Sequence, residues 1–352
     1  MARATLPPLD LDRVKDALSR YRDSIVVAMR DALDRPGVGH IGLMRYHLGW
    51  QDAQGNAVPR GGGKMLRPAL CLLFCEAAGG DIARAMPAAA ALELVHNFTL
   101  IHDDIEDDSD TRHGRDTLWR VAGVPQAINA GDGMFVIAQR TLLDMSRVGV
   151  SSARVLDAGR ILNDACVALC EGQYADIGFE TRDAVSLDEY QAMVAGKTAA
   201  LIGASAAIGA IAADAGASAV TAAGECGRLL GLAFQVQDDV LGIWGETAVT
   251  GKPVADDIRS RKKSFPVVYA FERLGAASRE RLRTIYASPE MSEADVKAVL
   301  ALLGEAGARE AGSAEAVRWA AAALDALAPL RLDPERLGDI EALASFFVHR
   351  TA

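Results

Sequence analysis

Apolar residues recur along most of this chain at helical spacing, and almost nowhere in the strict alternation that marks half-buried strands. From Leu9 to about Leu33, the positions Leu11, Val14, Leu18, Ile25, Met29 and Leu33 return at a period of about 3.6 residues and predict an amphipathic first helix, stopped by Pro36-Gly37. Residues of about 38 to 63 hold Gly, Pro, Asn and His and end in Gly61-Gly62-Gly63, which predicts a loop with no more than a short helical turn. Further helices are expected near 66–79, 85–106, 124–147, 152–178, 187–213 and 217–243, with about four more in the tail, among them 265–274 and 336–349. Gly196-Lys197-Thr198 interrupts one of these patterns with a mid-helix glycine, at a cost of about 1 kcal/mol relative to alanine. It marks either a kink that turns Lys197 and Thr198 toward a pocket or a close helix crossing.

Composition narrows the fold. Half of the 352 residues are hydrophobic and only 5% aromatic, Ala and Leu are abundant, and no Pro/Gly/Ser linker divides the chain. One all-α domain over residues 1–352 is expected, around one large core: an N-terminal helix and loop (1–60), a central region with the chemistry (61–270) and C-terminal helices (271–352). A net charge of -10 argues against nucleic acid as a partner, because phosphates are repelled without a strong basic stripe. Met1 to Pro8 lacks the apolar run of a secretion signal, and no stretch reaches the roughly 18 to 20 apolar residues of a membrane span. The nearest approach, Ala199 to Ala213, reads as a tightly packed core helix, and a cytoplasmic location is expected. Cys71, Cys75, Cys166, Cys170 and Cys226 are odd in number and lack metal-binding spacing, so buried free thiols are expected.

Candidate chemistry lies in two acidic clusters at the ends of apolar helical runs. Asp103, Asp104 and Asp107 sit at i, i+1 and i+4, within an arc of roughly 100° on a helix, and so predict carboxylates presented together. Like charges crowded in this way call for a cation, and oxygen-only ligands suit Mg²⁺, which joins one or two carboxylates to substrate phosphates. The second cluster, Asp238-Asp239, follows Leu229 to Gln237. An acidic run on a helix is more often a solvated face, but cations follow both clusters here: Arg112 and Arg115 after the first, Lys252 to Lys263 after the second. Lys64 and Arg67, three residues apart beyond a glycine run, make an anion cradle. His96 precedes Asp103 by two turns on nearly the same face, although a lone helical histidine is more often structural.

In order along the chain, Gly62-Gly63-Lys64-x-x-Arg67-Pro68, Glu93-x-x-His96, Asp103-Asp104-x-x-Asp107 with Arg112, Glu171-Gly172-Gln173, Lys197-Thr198, Phe234-Gln235-x-x-Asp238-Asp239 and the Gly251-Lys252 to Lys262 loop resemble the trans-isoprenyl diphosphate synthases, of the short-chain geranylgeranyl or farnesyl type. The resemblance runs from about residue 60 to the Phe346 to Arg350 terminus. It implies a helical isoprenoid-synthase-like bundle around a deep apolar pocket, a homodimer, and Mg²⁺-dependent condensation of isopentenyl diphosphate with an allylic prenyl diphosphate, with three Mg²⁺ in each active site. Asp103, Asp104, Asp107 and Asp238 would hold the metals with Asp239 close by. Arg112, Lys197, Gln235, Lys252 and Lys262 would hold the allylic diphosphate; Lys64, Arg67 and His96 would hold isopentenyl diphosphate; and Gln173 and Thr198 would line the reacting centre.

Two positions depart from the family's pattern. Gly242 stands where a third Asp is usual, so a water must take the place of that carboxylate or metal binding weakens. His113 replaces a second Arg and can still donate a hydrogen bond to diphosphate. In the family an aromatic at the position of Phe98, with small Thr99 beside it, tends to accompany a C20 product, with C15 the close second. Competing readings are a class I terpene cyclase, which would leave Lys64, Arg67 and His96 idle, and a non-catalytic partner subunit, which Gly242 and His113 motivate.

Overall fold

The structure, a computed structural model, describes residues 6–34, 39–58, 63, 65–245 and 254–350. Helices α1 (Leu11–Ser19), α2 (Arg22–Ala32), α3 (His40–His47), α4 (Leu66–Ala77) and α5 (Ile82–Glu106) lead to a short antiparallel hairpin, Thr111–Arg112 with Arg115–Asp116. Then follow α6 (Leu118–Ala122), α7 (Val124–Leu143), α8 (Ser152–Glu180), α9 (Leu187–Val194), α10 (Ala200–Ala212) and α11 (Ala217–Trp244). The rest is α12 (Asp256–Arg259), α13 (Phe265–Arg273), α14 (Ala276–Ala287), α15 (Glu293–Glu305), α16 (Ala308–Leu327) and α17 (Pro334–His349). The fold is all-α, as the 3.6-residue pattern predicts.

The single first helix expected over 9–33 is two helices. Tyr21 breaks it, because its ring is buried and its hydroxyl donates to Glu76 of α4 while Arg20 turns to Asp339 of α17. The expected loop after Pro36 contains α3, whose Ile41 and Met44 enter the core. Buried side chains form one large cluster and a smaller one, in which Ile243, Ile258, Val267, Leu282, Val299 and Leu303 pack beneath the C-terminal helices, rather than the single core expected.

α10 is buried along nearly its whole length and packs against α4, α8 and α11, which is why its sequence is Ala, Gly, Ser and Ile without charge. Among the described residues, Leu187–Ala212 is long and apolar enough to cross a membrane, but 78% of its most apolar window is buried in the protein. Cys71, Cys75, Cys166 and Cys226 are buried free thiols; Cys170, against expectation, is exposed, because it lies on the outward stripe of α8 with Val167 and Tyr174.

Both explanations of Gly196 hold. Residues Ala195–Ala199 form one turn of π-helix between α9 and α10, an insertion typical of functional sites. A Cβ on Gly172 of α8 would lie 2.8 Å from both Lys197 Cα and Met193 O, so the glycine lets α8 cross the π-turn backbone to backbone. The crossing sets Lys197 and Thr198 where α5, α8 and α11 open.

Candidate active site

Asp103 and Asp107, one turn apart at the end of α5, face the opening, and neither accepts a hydrogen bond from a described side chain. Burial, opposed by Lys197 and reinforced by Asp107 and Glu106, pushes the Asp103 carboxyl up to about 6; burial raises Asp107 as well. Their charge is under-compensated by protein. Lys197 pairs with Asp176 of α8 at 2.5 Å. Asp104 differs from the expectation that three carboxylates open together: it is 1% exposed and accepts from Arg112 Nε at 2.9 Å and 3.1 Å, with Arg112 Nη2 2.8 Å from Oδ1. The hairpin that carries Arg112 closes through His113 and Gly114, both at positive φ as a type I′ turn requires, and this turn aims His113 into the cavity.

The second cluster repeats this division. Asp238 faces the opening and accepts from Arg350 Nη2 at 3.0 Å, the guanidinium of Arg350 lying 4.0 Å over the Phe234 ring. Asp239 is 2% exposed and accepts from the Tyr190 hydroxyl at 2.5 Å, Gln235 Nε2 at 2.9 Å and the Phe265 backbone N–H at 2.9 Å, with Lys262 Nζ 3.8 Å away. Gln235 also accepts from the Thr198 hydroxyl at 2.9 Å, tying α11 to the π-turn. In both clusters the first Asp meets the cleft and the second is built into the wall.

Two cavities border the π-turn, one lined by Thr198 and the other by Lys197. One, of about 510 Å³, is lined by Arg67, Glu93, His96, Asn97, Arg112, His113, Thr198, Gln235 and Asp238. Among the described residues the buried Arg67 Nε there has no hydrogen-bond partner, as an anion site would leave it. Burial first, and then the charges of Arg67 and Arg112, hold His96 well below the usual imidazole range; His47, in the same cavity, is held down to about 3 by burial and Arg112. Both shifts favour the neutral imidazole over the cation. The other cavity, of about 690 Å³, is lined by Asp107, Asp176, Lys197, Asp257, Lys262 and Tyr286 among others. Asp239 and Asp257 hold the Lys262 ammonium protonated against its burial. Gln173 donates to Glu106 at 2.7 Å and keeps a buried oxygen without a partner among the described residues. Lys64 and Lys252 lie outside the described residues.

Magnesium fits this donor set: carboxylates only, two of them, Asp103 and Asp107, raised chiefly by burial, with no soft ligand. Among the described residues no three side chains form a ready-made metal cage. None is needed, because Mg²⁺ keeps waters and completes its shell with substrate phosphate. Sequence reasoning gave no role to Asp176, three residues beyond Gln173, to Asp257, inside the Gly251 to Lys262 motif, to Arg350 at the end of the chain, or to Tyr190 of α9. It also misjudged Gly242: a Cβ there would lie 2.6 Å from Asp257 Cγ, so a carboxylate, and not a water, occupies that space.

Residues 51–303 match the family model described as polyprenyl synthetase. The chain belongs to the polyprenyl synthetase family. It is 39% identical over its whole length to a (2E,6E)-farnesyl diphosphate synthase of Mycobacterium tuberculosis, covering 95% of that protein. It is 38% identical to a geranylgeranyl diphosphate synthase of the same organism, covering 99% of this chain and 97% of the relative. Among solved structures, a polyprenyl synthetase of Streptomyces coelicolor superposes with a TM-score of 0.89 at 39% identity, covering 95% of this chain and 99% of the other. A polyprenyl synthase of Caulobacter crescentus, complexed with calcium and isoprenyl diphosphate, gives 0.83 at 28% identity, covering 98% and 99%. The synthase is a prenyltransferase of the isoprenyl diphosphate synthase class, whose family is Mg²⁺-dependent.

Proposed function

We propose that the synthase condenses isopentenyl diphosphate with an allylic diphosphate, and that Asp103, Asp107 and Asp238 hold three Mg²⁺ against the allylic diphosphate. The observation that carries this reading is the pair of cavities on either side of Lys197-Thr198, one acidic with Lys197 and Lys262, the other with Thr198, Arg67, His96 and His113. Two diphosphates need two such places; a terpene cyclase needs one. Bound metal would neutralise charge as it builds on the departing diphosphate. Lys197 and Lys262 add fixed positive charge at the same oxygens, and Arg67 and His96 hold the second substrate. The allylic C–O bond breaks with its electron pair leaving on diphosphate, the double bond of isopentenyl diphosphate attacks the resulting cation, and the lost proton goes to the released diphosphate. Thr198 and Gln235, neither of them a strong base, line the cavity beside the π-turn.

For product length we favour C20, with C15 as the close second. Phe98, one helical turn before His102, packs edge-on to that ring at 5.8 Å and to Phe135 of α7 at 5.0 Å, a rigid aromatic floor, while Thr99 beside it is small. A homodimer is supported by an apolar stripe: Val136 and Leu143 of α7 and Leu156, Val167 and Tyr174 of α8 are exposed at spacings of two or three turns, Tyr174 by 83%. The free thiols suit a reducing cytoplasm.

Incubation with Mg²⁺, isopentenyl diphosphate and each of the C5, C10 and C15 allylic diphosphates, with chromatography of the dephosphorylated alcohols, tests the assignment. Chain elongation is expected, with Phe98→Ala lengthening the products and Thr99→Phe shortening them. Consumption of allylic diphosphate without incorporation of isopentenyl units would favour a cyclase.

A further inference from the structure

A third cavity, of about 240 Å³, lies between α9, α11, α13 and α16 and shares no lining residue with the two beside the π-turn. Four aromatic side chains line it. Tyr190 and Phe265 meet edge-on at 5.8 Å, Phe265 stacks on Tyr269 at 5.9 Å, and Trp319 closes the set from α16. A dry cavity of about 150 Å³ holds one benzene, so this one has room for a two-ring body. Charge at its rim is one-sided. Glu315 is neutralised by Arg318, whose Nε donates to it at 2.9 Å. Arg273 is exposed, lies 5.4 Å from the centroid of the Tyr269 ring, and pairs with no carboxylate among the described residues. Aromatic walls with one uncompensated guanidinium at the mouth suit a flat apolar body that carries a carboxylate.

Two of these aromatic residues also hold the active-site wall. The Tyr190 hydroxyl donates to Asp239 at 2.5 Å and the Phe265 backbone N–H donates to it at 2.9 Å. The cavity coexists with both bonds, so a ligand that fills it binds the state in which Asp239 is held. We propose that this cavity is a second ligand site, for a small aromatic carboxylate, and that its occupancy strengthens Mg²⁺–diphosphate binding by bracing Tyr190 and Phe265 against Asp239. The coupling rests on the diphosphate reading above; the binding does not. By linkage, Mg²⁺ with diphosphate strengthens binding of the carboxylate by the same factor.

The test is titration calorimetry of the full chain with naphthalene carboxylate, with neutral naphthol as the control and a thermal melt of each variant. One naphthalene carboxylate should bind per chain. Arg273→Gln should weaken it about tenfold and leave naphthol within about twofold, because only the acid uses the guanidinium. Ala311→Phe, on the α16 wall, places a ring in the cavity and should abolish binding of both with a retained melting transition. Saturating naphthalene carboxylate should lower the Mg²⁺ midpoint for inorganic pyrophosphate about fivefold in wild type and leave it unchanged in Ala311→Phe. Naphthalene carboxylate that fails to bind, that binds both variants as it binds wild type, or that pyrophosphate displaces would overturn the site. An unchanged midpoint in wild type would overturn the coupling. Should Ala311→Phe fail to fold, Arg273→Gln decides alone. If wild type binds no pyrophosphate with Mg²⁺, the diphosphate reading fails, and the site still stands or falls on the naphthalene carboxylate titrations.

Discussion

The two acidic clusters share a motif but not a state. In the first, Asp103 and Asp107 stand at the end of α5 with their carboxyls raised chiefly by burial, and further by Asp107 and Glu106 at Asp103 and by Asp176 and Glu106 at Asp107. In the second, Asp238 is already met by Arg350, whose side chain is only 11% exposed, and the position one turn further on is filled by Asp257 from another helix. One side of the cleft is short of positive charge, and the other is provided with it by the protein. The contrast indicates that the first cluster is the stronger claimant for metal, and that the second must exchange an arginine for it. Beneath the contrast lies a shared rule. Asp104 and Asp239, the second members, are wall residues held by Arg112 and by Tyr190, Gln235 and the Phe265 N–H.

The largest effect should come from the cleft-facing carboxylates. Asp103→Asn and Asp238→Asn should each lower turnover by roughly three orders of magnitude or more with melting temperatures close to wild type, because metal-assisted ionisation supplies much of the barrier reduction. Activity within tenfold of wild type for either would remove it from the metal set. The wall residues should behave in the opposite way. Asp104→Asn should cost about 2 kcal/mol of stability by urea titration, less than the full cost of splitting a buried pair because Arg112 reaches solvent. An unchanged urea midpoint would mean that Asp104 is not a buttress.

A smaller effect should distinguish the clusters by what already occupies them. Arg350→Ala removes the competitor of metal at Asp238, and the Mg²⁺ midpoint should fall a few-fold in a titration followed by pyrophosphate binding. A midpoint that rises instead would mean that Arg350 helps to hold diphosphate rather than compete with the metal. The smallest effect is acid titration behind the first cluster, where His47 faces Arg112. Its folded pKa of about 3 lies below the roughly 6.5 of the unfolded chain, so below pH 6.5 the unfolded state binds the extra proton. Stability is then full above about pH 6.5 and declines as the pH falls toward 3. Between pH 7 and 5.5 the loss should be about 1 kcal/mol, and His47→Gln should abolish most of that slope in paired urea melts.

Local spacing made much of this molecule legible. The i, i+4 pair of Asp103 and Asp107, the long helices around α5, α8 and α11, and the glycine under the π-turn all follow from patterns within a few residues. What spacing could not convey is where a side chain turns once a distant partner claims it. A helical wheel places Asp104 beside Asp103, but Arg112 draws it into the wall eight residues later. Tyr190 takes Asp239 from across the bundle, Asp257 enters beside Gly242 from α12, and Arg350 returns from the last helix to Asp238. Tyr21 splits the first helix for the same reason, because its hydroxyl answers to Glu76 on α4.

The division of labour within each cluster is tested most directly by titrating Mg²⁺ in the presence of inorganic pyrophosphate against four variants: Asp103→Asn, Asp104→Asn, Asp238→Asn and Asp239→Asn, each held well below its own melting temperature. Asp103→Asn and Asp238→Asn should weaken Mg²⁺-dependent binding by a hundredfold or more, while Asp104→Asn and Asp239→Asn stay within tenfold of wild type. Equal losses at all four positions would contradict the account, because both members of each pair would then be ligands and neither a buttress.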